Sequence, residues 1–549
     1  MSLDAAIHSA VGACERATRA LVAQLAKAVE DPKRPGRPST AKLHERGDEA
    51  FLLARLVADV RAAANLLGAF PTLPEDGPQR QLARYAAARI VRTFEATLVL
   101  EGPTWCGGTA LRLELDPHIR AAVCSASDAA AVADLAPWLL TGGASAAASY
   151  ALSADHEDIR VLFRDFADDQ VAPLAEHIHR EDALIPETLI SAYGELGALG
   201  ITIPEQYGGQ FIDHRSMALA TEELSRASLG AGGSVITRPE IASKALLKGG
   251  TEAQKRHWLP RIASGKEVVC IAVTEPNAGS DVARLRVSAT KTEGGWLLSG
   301  EKTWCTFAGR ASVLLVLART GSSADGARGL TLFLVPKPAT KAPADDRAFS
   351  HEDGRGGTIS GRAIPTVGYR GMHSFTVFFE QWFVADDLRV GDEGAGFALQ
   401  MAGFAGGRIQ TAARAVGVME AALRSAVAYA VDRKVFGSAL ADLPLVQRKI
   451  VDMAARVALS RQMTYAVCDE MDAGAGQMEA SLVKLLACRD AETVTREAMQ
   501  LHGGMGYSEE YAVSRYWQDA RVLSIFEGAE EVLAILVITR TLLRDALAA

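Results

Sequence analysis

A chain of 549 residues with 49% hydrophobic, 23% charged and 6% aromatic residues is too long for one ordinary core and too apolar for a disordered chain. Its formal charge of -8 argues against a nucleic-acid coat. Seven scattered cysteines, Cys14, Cys106, Cys124, Cys270, Cys305, Cys468 and Cys488, contain no CxxC pair and predict reduced thiols, with no disulfide framework and no metal site.

The opening residues mix Asp4, Glu15, Arg16 and Arg19 and lack the basic start and apolar run of a signal peptide. No stretch approaches the roughly 20 uninterrupted apolar residues that cross a bilayer, so a cytoplasmic protein without a membrane partner is expected. Ile7, Val11, Cys14, Leu21 and Leu25 recur on one helical face, and DPKRPGRPST at 31–40 interrupts them. Leu43, Leu52, Leu56, Val60 and Leu67 mark a second helix, ended by PTLPEDGP at 71–78. A third runs from about Gln79 to Leu100, weaker helical stretches reach about Leu140, and the small-residue segment 141–155 reads as a linker. Residues 1–150 thus form a helical block without a motif.

Helical pattern continues over 155–268. Between 269 and 390 short β-branched runs such as VVCIAVTEP, SVLLVLART and GLTLFLVP alternate with turns, predicting a compact antiparallel β domain. Long helical periods return over 395–549. The order is helical, helical, β, helical.

Five segments could carry chemistry. TEPNAGSD (274–281) leaves a strand into a glycine-bearing turn where Thr274 and Ser280 offer hydroxyls to a polar ring, although an ordinary hairpin turn fits equally. In GEKTWCTFAG, Trp304 and Thr306 alternate, so an aromatic wall and a hydroxyl share one strand face; a lone Trp is more often core. Arg433 and Lys434 in RKVFG suit a phosphate anchor or simply complement the dipole of a helix over 409–432. QLHGGMG (500–506) leaves backbone room for a nucleotide. In IFEGAEEV, Glu530 and Glu531 fit first-turn acids of a helix starting near Ala529. Glu527, between apolar residues, suits a base toward a weak carbon acid, with a solvated loop glutamate as the alternative.

In order and approximate separation, TEPNAGSD, GEKTWCT, RKVFG, QLHGGMGY and IFEGAEE resemble the acyl-CoA dehydrogenase family over residues 155–549. The resemblance implies a mainly α protein with a central β domain and a C-terminal four-helix bundle, preceded here by an extra helical domain. It implies FAD and an acyl-CoA thioester, with Glu527 as catalytic base. Val273, Thr274, Gly279, Ser280, Trp304 and Thr306 would meet the isoalloxazine and ribityl groups, and Ser280 also the pantetheine. Arg433, Phe436, Gln500 and Gly504 would hold the diphosphate and adenine from a neighbouring subunit, so a homodimer or homotetramer is implied. Arg408 would lie near CoA, and the family's alternative base position is empty at Gly407. Pro444 stands where a glutamine is common, leaving Gln447 as a substitute, and Ala529 replaces a common threonine.

The helical extension and overall length resemble members that turn (2S)-methylsuccinyl-CoA into mesaconyl-CoA in the ethylmalonyl-CoA pathway, with an electron-transferring flavoprotein as acceptor. Arg238 is then the expected partner of the free substrate carboxylate, beside Gly232, Gly233 and Thr237, with the glycines admitting the branch; a surface arginine before Pro239 is the alternative. Other short-chain dehydrogenases, an oxygen-using oxidase and a flavin-loaded, DNA-associated protein are the other functions considered, the last disfavoured by Glu527 and the net acidity.

Overall fold

The computed structural model describes residues 1–105, 112–143, 152–340 and 347–549. Cys106 and most of the expected linker lie outside them. The other six cysteines are free thiols, five buried and Cys124 exposed. The chain divides into two compact units, Asp158–Gln410 and a second built from both ends, Met1–Glu157 with Thr411–Ala549.

In the unit made of both ends, helices α1 (Leu3–Val29), α2 (Thr40–Glu45), α3 (Gly47–Gly68), α4 (Pro78–Trp105), α5 (Pro117–Ser125) and α6 (Ala129–Trp138) come first. The face read from sequence is the buried one: Ile7, Val11, Cys14, Leu21 and Leu25 are all inside. Those helices pack on the C-terminal helices. α3 and α4 lie against helix Pro444–Asp472, α3 also against Glu479–Leu501, and α1 against Arg540–Ala548. Polar links fix the contact, with Tyr85 Oη donating to Asp452 Oδ1 at 2.7 Å and Thr539 Oγ1 to the Ala50 carbonyl at 2.7 Å. The apolar stretch 117–143 contains α5 and α6, of nine and ten residues, broken at 126–128, and neither piece alone is long enough for a bilayer of roughly 30 Å.

The middle unit carries helices including His214–Ala227, Thr237–Gly249 and Glu252–Ala263, then nine strands: β1 (Val269–Ala272), β2 (Ser288–Thr292), β3 (Gly295–Thr306), β4 (Val313–Arg319), β5 (Leu330–Pro336), β6 (Ala348–Glu352), β7 (Thr358–Ile364), β8 (Ser374–Ala385) and β9 (Arg389–Val390). The sheet order is β6-β7-β8-β3-β2-β4-β5-β9, with β1 also on β4. The sheet is mainly antiparallel as expected, with two parallel contacts: β1 runs parallel to β4, and β2 meets β4 in parallel at Ser288 and Arg319. The β1–β4 contact joins strands separated by hairpin β2–β3 and the β2–β4 contact spans β3, long-range pairings that strand composition does not encode.

β4 is apolar throughout because both its faces are covered. Val313, Leu315 and Leu317 join Ala242, Leu246, Trp258 and Ile262 of the helices, whereas Leu314, Val316 and Ala318 face Trp296, Phe375 and Trp382. A helix spanning Gly396–Asp432, longer than the expected 409–432, passes from this unit into the other.

Candidate functional site

In the middle unit, the loop after β1 is closed by reciprocal backbone bonds between Glu275 and Ala278, at 3.2 and 3.0 Å. Glu275 is buried and its carboxylate accepts from the Arg286 and Val287 amides at 2.7 and 2.9 Å and from Lys302 Nζ at 2.8 Å. Lys302 also donates to the Val273 carbonyl at 2.8 Å. Burial holds the Lys302 ammonium below the usual lysine range, opposed by the Glu275 charge. This internal ion pair clamps the TEPNAGSD loop to β3. Val273 is buried, Thr274 half-buried, and Gly279 and Ser280 are exposed.

A bulge between Lys302 and Cys305 turns both of those inward and leaves Thr303, Trp304 and Thr306 toward the outer side. Trp304 has φ 58°, an uncommon backbone for a bulky residue, and is 56% exposed. Thr306 Oγ1 lies 2.9 Å from Ser374 Oγ. The expected shared face for Trp304 and Thr306 is present, although a bulge interrupts simple alternation. An exposed indole beside hydroxyls, with open space over Gly279 where a Cβ would meet only Thr274 Cγ2 at 3.8 Å, can seat a flat heteroaromatic ring with polar substituents.

On helix Thr237–Gly249, Arg238 is only 9% exposed, which removes the surface-arginine alternative. Its Nη1 donates to the Ser234 carbonyl at 2.6 Å and lies 3.4 Å from Met372 Sδ, and Nη2 donates to Tyr369 Oη at 3.0 Å. All three are neutral, and Arg238 makes no ion pair among the described residues. Thr237 is buried beside it. Gly232 and Gly233 leave no space in the direction of a side chain: a Cβ would stand 2.1 Å from the Leu224 carbonyl oxygen or 1.9 Å from Ser225 Oγ. Their small size therefore serves close packing of the chain on itself, a correction to the expected room for a branch. Arg408 is half-buried on helix Gly396–Asp432. Near the vacant Gly407 position, sequence reading overlooked Glu240, fully buried, with Oε1 1.9 Å from where a Gly406 Cβ would stand.

In the unit of both chain ends, Glu527 sits in a tight loop with φ 56°, followed by Gly528 at φ 103°. Lys484 Nζ donates to the Gly528 carbonyl at 2.8 Å, and the Glu530 amide donates to the Ser524 carbonyl at 3.2 Å. Arg414 Nη2 donates to Glu527 Oε1 at 3.2 Å, with its guanidinium over the Phe526 ring. Oε2 is buried without a hydrogen-bond partner among the described residues. The surroundings of Glu527 are thus less apolar than expected, since one of its oxygens faces a cation. The Glu527 amide has no backbone partner among the described residues.

Arg433 precedes a short hairpin, and Phe436 in its turn is 99% exposed. The Arg433 amide donates to the Tyr429 carbonyl at 2.9 Å, and the Tyr429 ring stacks on His502 at 4.3 Å. This brings the RKVFG turn beside QLHGGMGY, whose Gln500 is exposed and whose Gly504 has open space over it. Gln447 Nε2 is occupied by the Ala441 carbonyl at 3.1 Å.

Residues 153–266, 270–382 and 394–543 match the N-terminal, middle and C-terminal domains of acyl-CoA dehydrogenase. The chain belongs to the acyl-CoA dehydrogenase family. It is 43% identical over 393 residues to (2S)-methylsuccinyl-CoA dehydrogenase of Cereibacter sphaeroides, covering 71% of this chain and 70% of that one. It is 32% identical over 390 residues to the mitochondrial short-chain specific acyl-CoA dehydrogenase of Bos taurus, covering 71% and 90%. Among solved structures, butyryl-CoA dehydrogenase from Megasphaera elsdenii matches with a TM-score of 0.65 and 30% identity, covering 71% of this chain and 98% of that one. A chain from a structure titled for the electron transferring flavoprotein of Acidaminococcus fermentans matches at 0.66 and 30%, covering 72% and 100%.

The protein is therefore an FAD-dependent oxidoreductase. The exposed indole, nearby hydroxyls and open glycine fit that cofactor. Sequence reading missed Arg414, Lys484 and the Glu275–Lys302 pair. The last was legible in part, since both residues fall inside motifs. Arg414 and Lys484 lie in unremarkable helical pattern and become significant only through their contacts with the 527–528 loop.

Proposed function

We propose that this acyl-CoA dehydrogenase oxidises a short, α-branched dicarboxylyl-CoA, (2S)-methylsuccinyl-CoA, to mesaconyl-CoA in the ethylmalonyl-CoA pathway. Glu527 is the base that takes the α proton. Arg414 holds one carboxylate oxygen, and the unpartnered Oε2 is free to receive that proton. The free Glu527 amide can donate to the thioester oxygen as enolate charge develops. FAD, when bound, supplies the acceptor for the β hydrogen, removed as hydride.

Val273, Thr274, Gly279, Ser280, Trp304 and Thr306 are assigned to the flavin, and Ser280 and Arg408 to the CoA arm. Arg433, Phe436, Gln500 and Gly504 are assigned to the diphosphate and adenine of a neighbouring subunit's cofactor, which makes a homodimer or homotetramer part of this reading. An electron-transferring flavoprotein is the proposed acceptor, in a cytoplasmic setting.

The observation that carries the substrate assignment is Arg238, a buried guanidinium whose partners are all neutral. A desolvated cation without a counter-ion is costly, and a substrate carboxylate offsets that cost. The similarity to a methylsuccinyl-CoA dehydrogenase supports the same choice. The test is anaerobic bleaching of the flavin by methylsuccinyl-, succinyl-, glutaryl-, isovaleryl- and butyryl-CoA. Methylsuccinyl-CoA should bleach it fastest. Equal or faster bleaching by butyryl-CoA removes the dicarboxylate reading, and rapid peroxide formation in air favours an oxidase.

A further inference from the structure

A cavity of about 230 Å³ lies in the unit formed by the two chain ends, and Glu527 is not among its lining residues. Its walls are α3, α4 and the helices Pro444–Asp472 and Glu479–Leu501. Arg55, Arg89, Arg456 and Arg489 line it, opposed by Asp59, Asp452 and Asp490.

Most of these charges are already engaged. Asp490 accepts from Arg456 and from Ser460 Oγ, the latter at 3.1 Å. Asp452 accepts from Tyr85 Oη and has Arg89 Nε at 3.5 Å. Arg489 Nη1 donates to Glu530 Oε2 at 3.2 Å. Two side chains one turn apart on α3 remain, Arg55 and Asp59, which make no side-chain hydrogen bond or ion pair among the described residues.

Burial pushes the Asp59 carboxyl up to about 7, Asp490 adding to the push and Arg55, Arg456 and Arg489 opposing it. Burial and the neighbouring Arg489 together hold Arg55 below its ordinary value. Near neutral pH Asp59 is therefore a carboxylic acid much of the time, and the cavity has a surplus of cation. A forked guanidinium beside a hydroxyl donor complements an oxyanion with several acceptor oxygens. The space is several times the roughly 30 Å³ share of one water molecule.

We infer that this cavity is a second binding site for a small oxyanion of the carboxylate or sulfate type, gripped by Arg55 with Asp59 as its neighbour. The site joins α3 and α4 of the N-terminal block to the C-terminal helices, so its occupant bridges the two.

The test is calorimetric titration of the full-length, FAD-loaded protein with sodium sulfate and, separately, sodium succinate, at pH 6 and pH 8 and constant ionic strength. Sulfate keeps its charge across that interval. One saturable site per chain is expected for at least one anion, with sulfate, if it is the one bound, held more tightly at pH 6. Arg55→Ala should weaken binding at least about 10-fold, the loss expected for a charge-assisted bond. Binding should persist in Arg238→Met, which would abolish it for an anion seated at the substrate carboxylate position. Asp59→Asn, a near-isosteric change, should keep binding and lose the pH difference, which serves if Arg55→Ala does not fold. No saturable binding of either anion, unchanged affinity in Arg55→Ala, loss in Arg238→Met, or a sulfate pH difference that survives Asp59→Asn overturns the inference.

Discussion

Replacing Arg238 by Met keeps an unbranched apolar stem and removes the guanidinium with its charge, so it tests carboxylate recognition while filling part of the buried space. The guanidinium is buried, and its Nη groups face a carbonyl, a phenol and a thioether. Truncating one partner of a buried charged pair costs about 2 to 5 kcal/mol. Felt in the transition state, that is roughly 30- to 5,000-fold in kcat/KM for methylsuccinyl-CoA. Butyryl-CoA has no carboxylate at that end, and its kcat/KM should stay within about 3-fold. The fold should tolerate the change, because the loss of three hydrogen bonds to neutral partners, about 1.5 to 3 kcal/mol each for a charged donor, is opposed by no longer burying a cation. The assay is anaerobic flavin reduction with each thioester, alongside thermal unfolding. An equal loss with both substrates at unchanged stability would refute carboxylate recognition and return Arg238 to an architectural role.

Glu527→Gln should leave a folded, yellow, FAD-loaded protein whose flavin reduction by thioester falls by roughly 10²- to 10⁴-fold; near-normal turnover would remove Glu527 as the base. Lys302→Met strands the buried Glu275 charge and should cost about 3 to 5 kcal/mol in chemical denaturation, whereas Lys302→Met with Glu275→Gln should recover much of that loss. If the double variant is no better than the single one, the two side chains do not act as a pair. Burial alone would raise the Asp4 carboxyl, but hydrogen bonds from Arg84 and Arg80 outweigh it and hold it below 3.8. Its contribution, on the order of 1 kcal/mol, is therefore present above pH 3.8 and lost as pH falls through the folded value. The stability gap between wild type and Asp4→Asn should close in that acid window, and a gap unchanged down to pH 2 contradicts the assignment.

Much of this architecture was legible because periodicity reports burial. The stripe through Ile7, Cys14 and Leu25 is an inward face, and the unbroken apolar run of β4 is a strand covered on both sides. What the stripe packs against was not legible, since a leucine face fits any apolar partner. The parallel meeting of β1 with β4 depends on long-range pairing that neither strand encodes alone. At the candidate site, motif order singled out Glu527 and Trp304 as expectations. Their left-handed backbones, the Arg414 contact and the burial of Arg238 arise from tertiary constraints. An arginine before proline at the start of a helix looks the same in sequence whether it faces water or the interior.

Because one compact unit is assembled from Met1–Glu157 and Thr411–Ala549, biosynthesis imposes a delay on it. At about 5 to 20 residues per second, the ribosome needs tens of seconds after making α3 and α4 to deliver the helices that cover them. Throughout that interval their leucine faces need shelter, from transient self-association or a chaperone, whereas the segment 158–410 emerges contiguous. Loss of the final helix, which packs on α1, would consequently injure the beginning of the polypeptide as much as its end.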